Sequence, residues 1–427
     1  MRNPFIPSTI AALPEDFFGR SFELDGLSRA LEQGSVCIEG PSGIGKSSFL
    51  ARTMLHLEGF CSEENSIIVS AIAHGDIKNV DDAARLILEK LSDIDEKQQK
   101  LSIGFGKLIK YETSSGYSYF KDGRHLTALT KILADKAFCQ QLRSAAHFII
   151  AIDECEKCPA PIAKLMRTVN TELQLNGIKS LKFILSGVSP FYQEMKQEDL
   201  GVTRFVYETF PLTPLGESAS IELLETKFEE AMASIDESEN IDIDLDIIEL
   251  IYKISGGHPH LLQLLGSHVI EHEVKNPDGI MDKRDLVDCL KTICYGSRRQ
   301  DYDLQIAHMK NETKYSYFLN LLELAGGEFP SVIARTKASE LIDSDDLNWF
   351  CSNNIIRLID DNNYGFVDEF LRIRIILDTQ NDISGNLEEE LIESGQIDDL
   401  SDNYGMFLHN TGHDENEDED GDSYYYN

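Results

Sequence analysis

The chain is poor in positive charge. It has 39 Lys and Arg against 74 Asp and Glu, a net charge of −35 over 427 residues. So acidic a surface disfavours broad, non-specific nucleic-acid binding, which needs basic side chains to displace phosphate counterions. DNA contact then requires a local basic patch. Long apolar runs are also missing: none approaches the ~20 residues of a membrane span. Met1-Arg2-Asn3-Pro4-Phe5 lacks a signal-peptide core, so the expectation is a cytoplasmic protein. The eight cysteines are scattered, and only Cys155 and Cys158 have C-x-x-C spacing. Without a second pair they read as free thiols in a reducing compartment rather than a zinc site. Hydrophobic content of 42% and 26% charged residues are ordinary for a globular protein with two or three cores.

Against these absences stands Gly40-Pro41-Ser42-Gly43-Ile44-Gly45-Lys46-Ser47. It fits the phosphate-loop pattern G-x-x-x-x-G-K-[ST], follows an apolar run at 35–39 and opens a helical stretch. Glycines let successive backbone N–H groups face phosphate oxygens, and the helix N-terminus adds positive potential. Gly40, Pro41, Ser42, Gly43, Ile44, Gly45, Lys46, Ser47 and Ser48 are therefore the expected nucleotide-binding set. Lys46 reaches the β- and γ-phosphates, and Ser47 holds Mg²⁺.

Hydrolysis needs a second strand ending in carboxylates. His147-Phe148-Ile149-Ile150-Ala151-Ile152-Asp153-Glu154 supplies one, with Asp153 for Mg²⁺ and Glu154 as general base for water. Ser186 follows the apolar run 181–185, where a hydroxyl either senses the γ-phosphate or caps the strand. Arg204 precedes the run 205–207. It reads either as a finger reaching a neighbour's γ-phosphate or as a local ion pair. Phe17-Phe18-Gly19-Arg20-Ser21-Phe22-Glu23 is apolar, then tight, then charged, and suits the adenine end of a nucleotide.

Strands at 35–39, 67–72, 147–152, 181–185 and 205–207 alternate with helical patterns at 81–92, 127–143 and 160–175. That alternation predicts a parallel sheet covered on both faces. The expected organisation is an irregular lead-in at 1–16 and a P-loop ATPase domain at 17–215 with an insert at 93–125. A helical lid at 216–296, a winged-helix domain at 297–377 and an acidic disordered tail at 378–427 follow. The insert carries Lys97, Lys100, Lys107, Lys110, Lys121 and Arg124 among Tyr111, Tyr117, Tyr119 and Phe120. It reads as a solvated hairpin, a protein-partner surface or a nucleic-acid contact. The tail has sixteen Asp and Glu and no Lys or Arg. It either keeps the chain soluble, binds a basic partner or folds back on the insert.

Together these residues resemble the STAND and archaeal-type branches of the AAA+-like P-loop ATPases. The segment Phe17–Glu23 resembles their apolar-apolar-Gly-Arg-Glu-x-Glu motif, with Ser21 in place of the first Glu. Gly256-Gly257-His258-Pro259-His260-Leu261-Leu262 is similar to their lid Gly-x-Pro signature. The resemblance covers residues 10–377. It implies that Phe18, Gly19, Arg20 and Pro259 lie by the nucleotide, with Pro259 coupling the lid. Two departures stand out. The lid lacks the Arg that many relatives turn toward the γ-phosphate, leaving His258 or His260 there, and no repeat array follows the winged helix.

Origin-recognition ATPases share this architecture and place a recognition helix on DNA. Here that helix, 344–353, has two Asp and no Lys or Arg, and the wing tip Asp360-Asp361-Asn362-Asn363 is acidic. The sequence thus points to a slow, Mg²⁺-dependent ATPase acting as a molecular switch, with ATP-dependent self-association or a protein partner held through the insert or tail. The alternative is a DNA-associated loader or transposition regulator.

Overall fold

The computed structural model describes residues 1–60, 67–73, 77–98, 124–134, 148–179, 181–234, 241–327 and 329–381. The expected hairpin of the insert, the far half of the helix expected at 127–143 and the tail beyond residue 381 lie outside the described residues. Two compact units form. One comprises Ile6–Leu223 with His258–Gln263; the other comprises Met1–Phe5, Leu224–Gly257 and the chain from Leu264 on.

The first unit is built on a five-stranded sheet, with β1 (Ser35–Glu39), β2 (Ile67–Ile72), β3 (Phe148–Asp153), β4 (Leu181–Gly187) and β5 (Val206–Pro211) in the order β2-β3-β4-β1-β5. Every pairing is parallel. Side chains of a strand alternate between faces, and β3 shows the consequence. Phe148, Ile150 and Ile152 enter a core built with α3 (Val80–Gln98), α4 (His125–Leu133), α5 (Pro159–Leu175) and α6 (Phe191–Glu198). Ile149 and Ala151 enter the opposite core, against α1 (Ser21–Gln33) and α2 (Lys46–Phe60). Continuous apolar strands are what a sheet covered on both faces requires. Alternation then puts Asp153 on the α2 face, where a carboxylate meets the helix that follows the phosphate loop.

Several boundaries differ from the sequence reading. β3 runs through Asp153, and β4 continues to Gly187, so Ser186 lies inside the strand rather than after it. β5 extends to Pro211. Helix α1 is an element the sequence reading lacks: its first three residues fall in the segment 17–23 read as nucleotide contact, and Leu24, Leu27, Ala30 and Leu31 beyond it form one buried face.

The second unit takes in the greater part of α7 (Glu217–Met232), then β6 (Asp242–Ile243), α8 (Leu245–Ser255), the body of α9 (Pro259–Lys275), β7 (Ile280–Met281) and α10 (Lys283–Thr292). There follow α11 (Arg299–Asn311), α12 (Tyr315–Ala325), β8 (Ile333–Ala334), α13 (Arg335–Leu341), α14 (Ser344–Ser352), β9 (Ile356–Leu358), β10 (Asn363–Phe366) and α15 (Glu369–Asn381). The hairpin read from the sequence is β9–β10, and a third strand completes it as β8-β10-β9. Two residues are too short a strand to show in a hydrophobic pattern. Buried Arg372 pairs with Glu369 at 3.1 Å, and Glu369 accepts from Ser331 N and Oγ at 2.7 and 2.6 Å, which ties α15 to the start of β8. Among the described residues no helix is long and apolar enough to cross a membrane.

Ile149 is fully buried beneath α2. Ile149→Ala should cost about 2–5 kcal/mol, read as a lower urea midpoint with the secondary structure retained.

Candidate nucleotide-binding site

β1 is sequestered along its length, with Val36, Cys37 and Ile38 fully buried. The chain leaves the sheet after Glu39 and turns at once. Gly43 and Gly45 take φ of +75° and +91°, values that a side chain resists. At Gly43 a Cβ would also stand 2.7 Å from His258 Cε1. The turn delivers Lys46 to the first position of α2, where its Nζ donates to Pro41 O at 2.8 Å and closes the loop on itself. Burial pulls the ammonium pKa down, against the raising pull of Glu156, Asp153 and Glu154.

The end of β3 meets this loop. Ser47 Oγ donates to Asp153 Oδ2 at 2.5 Å, and Asp153 Oδ1 accepts from Glu154 N at 2.9 Å. A hydroxyl and a carboxylate converging at the foot of the loop are hard oxygen donors, a set that fits Mg²⁺. Glu154 itself has left-handed backbone, φ 59° and ψ 37°. Such a conformation is strained for a residue with a side chain and is found disproportionately at working sites. Its carboxylate pairs with Lys157; at 41% and 44% exposed, the pair is worth little and is easily exchanged.

These groups share a cleft of about 390 Å³, a small-molecule size. Of the residues expected from the sequence, Phe18, Arg20, Ser42, Gly43, Ile44, Gly45, Lys46, Ser47, Ser48, Asp153, Glu154 and Pro259 line it; Gly19, Gly40 and Pro41 do not. Ser186 is buried beside Ile38, and its Oγ has no hydrogen-bond partner. It shares the sheet face of Ile184, the face that carries Asp153. Arg204 is exposed before β5, at the sheet edge opposite the loop, since Val206 pairs with Ser35 at the start of β1. It takes no part in the cleft of its own chain.

Arg20 lines the cleft and also grips backbone. Its buried guanidinium donates to Ile44 O at 3.1 Å and Thr213 O at 2.7 Å, so it clamps the phosphate loop to the chain after β5. Phe17 stacks on Phe49 against the core, and both Phe17 and Phe18 line the cleft. The histidines beside Pro259 also bind backbone: His258 Nε2 to Ser42 O and His260 Nδ1 to Pro7 O, each at 3.0 Å. A carbonyl only accepts, so those nitrogens carry the protons. Cys155 is structural, its buried thiol donating to Ile152 O at 3.2 Å, and burial pushes that thiol well up.

Two contributions went unread in the sequence. Residues 6–11, taken for an irregular lead-in, line the cleft; Ile6 N donates to Gln263 Oε1 at 2.9 Å and Ala11 N to Ser48 Oγ at 3.1 Å. Nothing in Ile6-Pro7-Ser8-Thr9-Ile10-Ala11 announces this beyond extended chain before proline. Glu156 also lines the cleft, and its Oε2 accepts from Val188 N at 3.1 Å, joining the turn after β3 to the end of β4. The acidic spacing Asp153-Glu154-Cys155-Glu156 was a signal that could have found it.

No protein-family model matches the chain, and no curated protein matches it in sequence. Solved structures are similar in fold. A Walker-type ATPase of Pyrococcus abyssi aligns with 86% of this chain and 98% of its own, at 17% identity and a TM-score of 0.55. The ORC2 protein of Aeropyrum pernix, in its ADPNP–ADP complexes, aligns with 96% of each chain at 13% identity and a TM-score of 0.51. The chain has an α/β P-loop NTPase core.

Arg20→Met should destabilise nucleotide-free protein by about 2–3 kcal/mol, since it strands buried carbonyls that now accept from a charged donor. Thermal unfolding without nucleotide checks this. An Arg20 that served the nucleotide alone would leave that midpoint unchanged.

Proposed function

We propose that this chain is a Mg²⁺-dependent ATPase working as a conformational switch, controlling association with itself or with a protein partner. The observation that carries the reading is the Ser47–Asp153 hydrogen bond. It joins a complete phosphate loop to a strand-end carboxylate, with Glu154 next in the chain. The backbone N–H groups of the loop and the N-terminus of α2 take the phosphates. Lys46 leaves Pro41 O for the β- and γ-phosphate oxygens. Ser47 and Asp153 hold the metal, which when bound neutralises phosphate charge. Glu154 releases Lys157 and orients the attacking water. Ser186, with its unpartnered buried hydroxyl, is suited to the γ-phosphate or that water. Phe18 serves the adenine end, and Arg204, remote from its own cleft, is available to a neighbouring copy.

The switch reading draws on the start of α9. His258 holds the carbonyl of Ser42 in the phosphate loop, and Pro259 lines the cleft. Phosphates arriving at that loop change what His258 grips, and ATP and ADP thereby favour different settings of the helix. We read residues 297–377 as a winged-helix domain, and its chemistry favours protein packing over DNA. Helix α14 exposes Ser344, Asp345 and Asn348, and its Asp346 pairs with Lys314. None of these exposed groups is cationic, and Asp345 repels phosphate.

Lys46→Ala should weaken binding of a fluorescent ATP analogue at least tenfold. Glu154→Gln should bind it as wild type does while turnover falls about 10²-fold or more; turnover at the wild-type rate would remove Glu154 from its role. Light scattering on Glu154→Gln with ATP and Mg²⁺ should show a larger species without DNA. Growth only when a short duplex is present would replace the switch with the DNA-loader reading.

A further inference from the structure

A second cluster of ionisable groups lies in the other unit. Glu273 stands in the last turn of α9, Asp278 in the loop that follows, and Asp285 in the first turn of α10. One carboxylate oxygen from each lies within 4.8 Å of the other two. Oxygens bound to one calcium ion at ~2.3–2.6 Å can stand no more than about 5 Å apart, so the cluster has the span of a coordination shell.

Acidic residues often gather on a surface without a ligand; this group differs in its burial. Glu273 is 1% exposed. Its Oε1 accepts from Gly279 N at 3.1 Å, while its Oε2 is buried with no hydrogen-bond partner. A buried carboxylate oxygen without a donor is costly, and its neighbours worsen the cost. Asp285 is also buried, with Oδ2 accepting from Asp282 N at 3.0 Å and Oδ1 3.1 Å from His272 Nδ1. Asp278 is exposed and accepts from Ile280 N at 3.1 Å, which turns the loop back toward the helix ends. The C-terminus of α9 adds the negative end of its own dipole. Burial pushes the Glu273 and Asp285 carboxyls up, against the lowering pull of the Gly279 and Asp278 N–H groups on Glu273 and of the Asp282 N–H and His272 on Asp285.

We propose that Glu273, Asp278 and Asp285 form a divalent-cation site that takes calcium and clips the loop 276–279 between α9 and α10. Carboxylates from two helix ends and a loop suit the larger, geometrically tolerant ion better than Mg²⁺, which demands a near-ideal octahedron and keeps its waters. The same clip secures the short sheet, because Gly279 O accepts from Asp242 N at 3.0 Å beside the β6–β7 pairing.

The test uses full-length protein, free of nucleotide and stripped with chelator, heated at pH 7.5 in rising calcium chloride, with magnesium chloride in parallel. Wild type should gain about 2–4 °C in calcium, more than in magnesium. Glu273→Gln and Asp278→Asn should each lose that gain. Both keep the local hydrogen bonds, and Asp278→Asn, at an exposed position, keeps the test valid should the first variant fold poorly. An equal gain in wild type and variants would mean general screening of an acidic chain and would overturn the site. No gain in wild type would overturn it too. So would stabilisation by acidification to pH 5.5 but not by calcium, which would mean that a shared proton fills the cluster.

Discussion

The hydrogen bond from Ser47 to Asp153 is the contact on which the candidate site depends. Its two residues come from elements far apart in sequence, one opening α2 and the other closing β3. They meet only because the sheet is parallel and β4 alone separates β3 from β1. Parallel strands end at the same edge, so the turn after each one faces the same cleft. Alternation along β3 then decides which side chain reaches that edge on the α2 face. Shifting β3 by one residue would send Asp153 into the opposite core and leave the phosphate loop without a carboxylate.

Around this contact, side chains with polar ends bind backbone. Arg20 holds Ile44 O and Thr213 O, His258 holds Ser42 O, and Lys46 holds Pro41 O. A phosphate loop has few side chains of its own, so its shape must be imposed from outside through its carbonyls. The loop N–H groups are left for a ligand as a result. Fixing the loop in advance lowers the ordering cost of binding. The buried hydroxyl of Ser186, by contrast, is a donor held at the sheet edge with no acceptor.

Much of this architecture was legible in the sequence, for a physical reason. Strands covered on both faces must be apolar throughout, and phosphate contact needs glycine, lysine and a hydroxyl at fixed spacing. Lys46, Ser47, Asp153 and Glu154 could therefore be read directly. What escaped was set by three-dimensional contact rather than composition. Residues 6–11 gain their place from Gln263, His260 and Ser48, partners more than thirty residues away in the chain. The carbonyl contacts of Arg20 were illegible because an arginine beside glycine has the same letters whether it holds a ligand or a backbone carbonyl. The carboxylates of Glu273, Asp278 and Asp285 are dispersed among many others in an acidic chain. Their convergence in space and the burial of Glu273 and Asp285 distinguish them.

The left-handed backbone at Glu154 bears on how such a protein changes over generations. A side chain there costs about 1 kcal/mol that glycine would not, so the fold is under steady pressure to discard the glutamate. Under the proposed role of Glu154 in orienting water, its place at a strained position trades stability for turnover. A lineage released from hydrolysis should drift first at this position, toward glycine or asparagine, before its phosphate loop decays. Position 154 would then serve as a marker for telling working copies from retired ones.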